Sequence, residues 1–151
     1  MGVFREDLVF LDATYPSQEA FYAEMGAILY EKGLVKDTFA DALMARERDF
    51  PTGLQTEVYG VAIPHTDVKH VNEVFIAFVR LNEPLVYSHM GDPDLKVGVR
   101  FAFVLGIMDP QAQLDTLGAL IGGIVDSETM GKLDRSDDPA EIVEILNGLM
   151  K

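Results

Sequence analysis

Apolar residues along this chain fall into two rhythms, short unbroken runs and longer stretches spaced at helical intervals. Leu8 to Leu11 is a short run and predicts a first strand. Ser17 then reads as an N-cap, followed at helical spacing by Ala20, Phe21, Met25, Ile28 and Leu29, with Glu24 the polar exception. Gly33 is placed to close that helix as its C′ residue. Thr38 and Asp41 have the spacing of a capping box with Asp in the Glu position. Phe39, Leu43 and Met44 give this second helix its stripe, and it ends near Phe50 because Pro51 disfavours α geometry before it. Pro51-Thr52-Gly53-Leu54 reads as a turn leading into a short run from Val58 to Ile63, which Pro64 stops.

Val74 to Leu81 and Gly98 to Ile107 lack a polar face along most of their length and predict buried strands. Asp109-Pro110 is an N-cap with Pro at the first helical position. Leu114, Leu117, Leu120, Ile121, Ile124 and Val125 follow as the apolar face, while Gly118 and Gly122 predict a tight approach by another backbone. Asp138-Pro139 repeats the start signal for a last helix carrying Ile142, Val143, Ile145, Leu146 and Leu149. Apolar strands interleaved with amphipathic helices predict an α/β fold, with helices on both faces of one mixed central sheet. Residues 1–151 are expected to form a single domain.

Composition narrows the function. The chain is 48% hydrophobic and 25% charged, the balance of an ordinary globular protein. Its net charge of −13 would repel phosphate backbones, which argues against nucleic acid and suits docking to basic protein patches. There is no cysteine, so disulfides, thiolate metal sites and thiol nucleophiles are excluded. The N-terminus turns acidic before any apolar stretch, and Glu6 stands where an acylation motif at Gly2 would need Ser or Thr. The most apolar stretch, Val97 to Met108, is broken by Arg100 and too short to span a bilayer. A cytoplasmic protein is expected.

Three histidines occur, His65, His70 and His89. His65 directly follows a strand-like run and Pro64, at the strand end where open α/β sheets tend to carry functional residues. A neutral imidazole there is both a nucleophile and a general base; the bland alternative is a histidine that only caps the strand. His65, Asp67 and His70 also offer ligands for a divalent metal, although the i, i+5 spacing does not put both histidines on one helical face and matches no strong zinc signature. A hydrolase triad lacks its G-x-S-x-G elbow, and the phosphate-binding glycine loops are absent.

The segment Ala45-Arg46-Glu47-Arg48-Asp49-Phe50-Pro51-Thr52-Gly53-Leu54, followed by Val61-Ala62-Ile63-Pro64-His65, resembles a known signature. It is that of the enzyme IIA components of the sugar phosphotransferase system, in the fructose–mannitol branch and most like the galactitol type. The resemblance extends over essentially the whole chain, including Asp109-Pro110-Gln111-Ala112-Gln113-Leu114 at the start of a helix. It implies that His65 accepts a phosphoryl group from the phosphohistidine of the carrier protein HPr. The group would then pass to a cysteine of a separate enzyme IIB, which serves a membrane enzyme IIC. With no cysteine and no room for a transporter, the chain looks like a stand-alone IIA. No cofactor follows.

The same resemblance makes Arg46 the fixed positive charge near the phosphoryl group, in place of a solvated helix charge beside Glu47 and Arg48. Thr66 becomes a candidate donor to phosphate oxygens through its hydroxyl and backbone N–H. Mannitol- and fructose-type relatives carry a second histidine where this chain has Gln113, whose amide donates a hydrogen bond but exchanges no proton. His70 and His89 are expected at the surface. Two other readings stand beside this one: a regulatory protein gated by histidine phosphorylation, and a metal-dependent hydrolase using His65, Asp67 and His70.

Overall fold

A computed structural model describes residues 3–150; Met1, Gly2 and Lys151, and with them the position at which acylation would occur, lie outside the described residues. Strands β1 (Val9–Ala13), β2 (Gly53–Gln55), β3 (Gly60–Ala62), β4 (Phe75–Ser88) and β5 (Lys96–Gly106) form one sheet in the order β1-β4-β5-β3-β2. The β1–β4 and β3–β5 pairs are parallel, and the β4–β5 and β2–β3 pairs antiparallel. Helices α1 (Gln18–Glu31) and α2 (Phe39–Asp49) cover one face; α3 (Pro110–Ile124), α4 (Ser127–Arg135) and α5 (Pro139–Leu149) cover the other. The expected mixed α/β sheet with helices on both faces is what the chain forms.

Both faces are apolar because side chains alternate along β4. Phe75, Ala77, Val79 and Leu81 meet Phe21, Met25, Leu29, Phe39 and Leu43 of α1 and α2. Ile76 and Phe78 meet Leu120, Ile124, Met130, Leu133, Ile142 and Leu146 from the three later helices. The next residue on that second face is Arg80, which is 2% exposed and fully partnered. It binds the carboxylates of Asp12 and Asp137 and the carbonyls of Leu133, Asp134 and Ser136, tying the end of α4 to the sheet.

The helix ends follow their expected chemistry. Ser17, Asp109 and Asp138 accept the backbone N–H of Ala20, Ala112 and Ala140 at 3.1, 2.9 and 3.0 Å. Gly33 takes φ +79°, with its N–H on the Tyr30 carbonyl and that of Leu34 on the Leu29 carbonyl, a Schellman closure of α1.

Several expectations fail for physical reasons. Thr38 makes no cap; its hydroxyl is bound to His70 Nδ1 at 2.7 Å, and its own backbone is helical. The proposed turn at Gly53-Leu54 is the start of β2, which pairs Gly53 with Ala62. Strand β4 does not stop at Leu81: residues Leu81–Pro84 bulge opposite Arg100, and pairing resumes at Leu85 with Val99. Helix α4, capped by Asp126 through the N–H groups of Glu128 and Thr129, was not anticipated from the pattern. Leu114 on α3 and Val125 just past its end are exposed, and no contact crowds Gly118 or Gly122; the tight approach is at Gly123, where a Cβ would lie 2.5 Å from Leu149 Cδ2.

Candidate functional site

The site grows out of the end of β3. That strand stops at Ala62, but the Leu105 N–H still donates to the Pro64 carbonyl at 2.9 Å, so the sheet holds the chain up to His65. Pro64 fixes its own φ and removes a donor, which ends the strand without loosening it. His65 is 7% exposed, and its Nδ1 lies 2.8 Å from the Ile63 carbonyl. A carbonyl only accepts, so Nδ1 carries the proton and Nε2 holds the lone pair. Nε2 has no hydrogen-bond partner, yet it is not sealed from solvent. Among the described residues, the one sealed and unpartnered side-chain polar atom is Arg46 Nε.

Burial is the main cause that lowers the His65 pKa below its ordinary value. The Ile63 hydrogen bond opposes this, and the nearby Arg46 charge reinforces it. The ring is therefore neutral at pH 7, with an exposed pair of electrons on Nε2. This is the state of a nucleophile.

Arg46 sits on the last turn of α2, its Nη1 3.2 Å from Asp67 Oδ1 and its guanidinium 5.1 Å from the Phe50 ring centroid. The ion pair and the ring contact hold a planar cation at the edge of the His65 loop. A shallow hollow of about 260 Å³ opens there, between α2 and the loop, lined by Arg46, Phe50, Asp67 and His70.

Thr66 is 1% exposed. Its hydroxyl donates to the Asp67 carbonyl at 2.9 Å, so the hydroxyl expected to serve a phosphate is already engaged. The Thr66 N–H has no acceptor among the described residues. Gln113, in the first turns of α3, donates from Nε2 to the Thr66 carbonyl at 2.9 Å. Arg46, His65, Thr66 and Gln113 thus converge, with Asp67 as the link between loop and cation.

The other histidines lie at the surface as expected, each half-buried and each with a local hydrogen-bond partner. His70 is held by Thr38, and His89 Nδ1 accepts the Gly91 N–H at 2.9 Å. No group of three metal-ligating side chains forms among the described residues. Asp67 is paired with Arg46 and His70 with Thr38, so the string read as possible metal ligands does not assemble.

Sequence reasoning missed two residues. Glu47, given no role of its own in the sequence, is 6% exposed, and its carboxylate accepts from the Thr52 N–H at 2.6 Å and the Thr52 hydroxyl at 2.8 Å. The available signal was that Glu47 and Thr52 stand in the same motif as Arg46.

Comparison with known proteins gives a family match over residues 2–148, to the EIIA 2 family of the phosphoenolpyruvate-dependent sugar phosphotransferase system. The galactitol-specific EIIA component of Escherichia coli (strain K12) is 37% identical over 98 residues, 65% of this chain and 65% of that protein. The aligned part is therefore just under two thirds of that relative's length. Among solved structures, the nitrogen regulatory protein IIA-Ntr from Neisseria meningitidis is 25% identical with a TM-score of 0.73, covering 95% of this chain and 96% of its own. The enzyme IIA of the mannitol system from Escherichia coli, solved in complex with phosphorylated enzyme IIB, is 20% identical with a TM-score of 0.75. It covers 98% of this chain and 97% of its own, and shares the fold.

Proposed function

Since the chain belongs to the EIIA 2 family of the phosphoenolpyruvate-dependent sugar phosphotransferase system, we propose that it is a phosphoryl carrier that works through His65. It takes the group from phospho-HPr and passes it to a cysteine of a separate enzyme IIB, in a galactitol-like uptake system for a sugar or sugar alcohol. The observation that carries this reading is the His65 ring itself, with Nδ1–H committed to Ile63 and Nε2 open beside Arg46. Residues 1–151 act as one cytoplasmic domain; no helix among the described residues is long and apolar enough to cross a membrane.

Each step balances without an added base. The Nε2 pair forms the new N–P bond as the donor's N–P bond breaks and its electron pair returns to the donor imidazole. Nδ1 keeps its proton throughout, and the Ile63 carbonyl stabilises the positive ring that results. In the second step a thiolate of enzyme IIB attacks phosphorus, and the N–P pair returns to Nε2. The transition state is loose, with charge on the equatorial oxygens, so the protein contributes position and donors. Arg46 and the Thr66 N–H are the donors we assign. Gln113 acts by holding the Thr66 carbonyl, and no proton exchange is asked of it.

Incubation with phosphoenolpyruvate, enzyme I and HPr tests the reading. The protein should gain an acid-labile, alkali-stable phosphate that His65→Ala abolishes, and enzyme IIB should discharge it. Failure to gain phosphate, or equal gain by His65→Ala, contradicts it. The regulatory alternative finds support in the likeness to IIA-Ntr, and charging without discharge to enzyme IIB would favour it.

A further inference from the structure

Glu47 is the one buried acidic residue among the described residues, and it pairs with no cation. Neighbouring Arg46 faces Asp67 instead. A lone interior carboxylate is costly to desolvate, and an apolar replacement for buried charge is often as stable or more so. Its hydrogen bonds point to a different purpose.

Burial pushes the Glu47 carboxyl above its ordinary pKa and the hydrogen bonds from Thr52 and Tyr22 oppose this; for the ionised carboxylate every bond around it has a forced direction. Oε2 accepts the Thr52 N–H, while Oε1 accepts the Thr52 hydroxyl and the Tyr22 hydroxyl at 3.3 Å. Tyr22 spends its single proton there, so Tyr87 donates to Tyr22 at 2.7 Å. Thr52 spends its proton on Glu47, so its oxygen is free to accept the Ile63 N–H at 3.3 Å. Gly53 lets the start of β2 lie against the end of β4, since a Cβ there would stand 2.6 Å from the Ser88 carbonyl oxygen. Pairing of Gly53 with Ala62 then sets Thr52 opposite Ile63.

Ile63 is thus gripped at its N–H by Thr52, and it presents its carbonyl to His65 Nδ1. We propose that Glu47 is a positioning residue for His65, acting through Thr52 and Ile63 to hold the ring as its Nδ1–H tautomer with Nε2 free to react. The proposal rests on His65 being the phosphoryl acceptor. Without the carboxylate, the Thr52 hydroxyl has no fixed acceptor, and Ile63 keeps the sheet pairing around it but loses the grip on its own N–H. The ring then populates the Nε2–H tautomer, whose proton occupies the reacting pair.

The test joins long-range proton–nitrogen NMR of the His65 ring, above its titration, with the rate of phosphoryl acceptance from phospho-HPr. Wild type should show Nδ1 protonated. Glu47→Gln brings a second donor against the Thr52 N–H, and Thr52→Val removes the hydroxyl. Each should raise the Nε2–H fraction and slow acceptance by about 10–100-fold, the usual loss when an outer group that fixes a reactive imidazole is removed. KM for phospho-HPr should not change, and Thr52→Ser should keep the wild-type tautomer. If Glu47→Gln does not fold, Thr52→Val decides the matter. Folded variants with an unchanged tautomer overturn the proposal, whether or not the rate falls. The tautomer arm needs no phosphate, so a wild-type protein that never accepts phosphate would refute the carrier reading separately.

Discussion

Gln113 Nε2 donates to the Thr66 carbonyl at 2.9 Å, so the start of α3 grips the loop immediately after His65. The amide spans the gap between two elements that the chain separates by a strand hairpin, and it leaves Thr66 with its carbonyl satisfied. Gln113→Ala should leave a part-buried carbonyl unpaired and destabilise the fold by about 1–2 kcal/mol, read from urea unfolding. Acceptance of phosphate should slow several-fold but persist, because no proton passes through this side chain.

The lowered pKa of His65 fixes the sign of two pH dependences. Phosphoryl acceptance should rise with pH, with its midpoint below the ordinary histidine value of 6.5. Stability should also depend on pH: as pH falls below 6.5, the unfolded chain binds the proton first, so stability drops until the folded ring is protonated too. Urea midpoints across that window should slope in wild type and flatten in His65→Ala.

Arg46 is more important for transfer than for stability. Its pair with Asp67 is partly solvated, so Arg46→Ala should cost no more than about 1 kcal/mol of stability. Acceptance should fall by about 10²-fold, the usual loss of one donor to a transition-state oxygen. Because the Arg46 charge lowers the His65 pKa, the variant's ring should titrate higher by NMR. Arg46→Lys should recover part of the pKa effect and little of the rate, since a point charge lacks the guanidinium fork.

Two adjacent glycines of α3 should respond in opposite directions. Nothing lies within 4 Å of a Cβ at Gly122, so Gly122→Ala should stabilise by about 0.5–1 kcal/mol through helix propensity. At Gly123 the same methyl meets Leu149, and Gly123→Ala should destabilise by about 1–3 kcal/mol. Thermal unfolding of both variants checks the pair.

That contrast shows where sequence reasoning ran out. The spacing of Gly118 and Gly122 suggested close packing, but which face of α3 meets α5 is decided by the whole fold, and it selects Gly123. Local chemistry was readable where the partner is local: Asp109 and Asp138 cap their helices as expected, and Pro64 ends the approach to His65. It was misread where a distant group intervenes. The Thr38 hydroxyl looked like a cap until His70, far along the chain, was seen to engage it. The strand expected to end at Leu81 runs on because Asn82-Glu83-Pro84 form a bulge that Arg100 faces from β5, donating to the Leu81 carbonyl at 2.6 Å. The burial of Glu47 was not legible because carboxylates seldom enter a core, and only the donors supplied by Thr52 and Tyr22 make it tolerable.

His65 Nε2 is the atom on which phosphoryl transfer turns, and its bonding can be observed directly. Nitrogen-15-labelled protein charged by phosphoenolpyruvate, enzyme I and HPr should show phosphorus coupling to Nε2 of His65, with Nδ1 still protonated. Phosphorus bonded to Nδ1, or to any other residue, would contradict it.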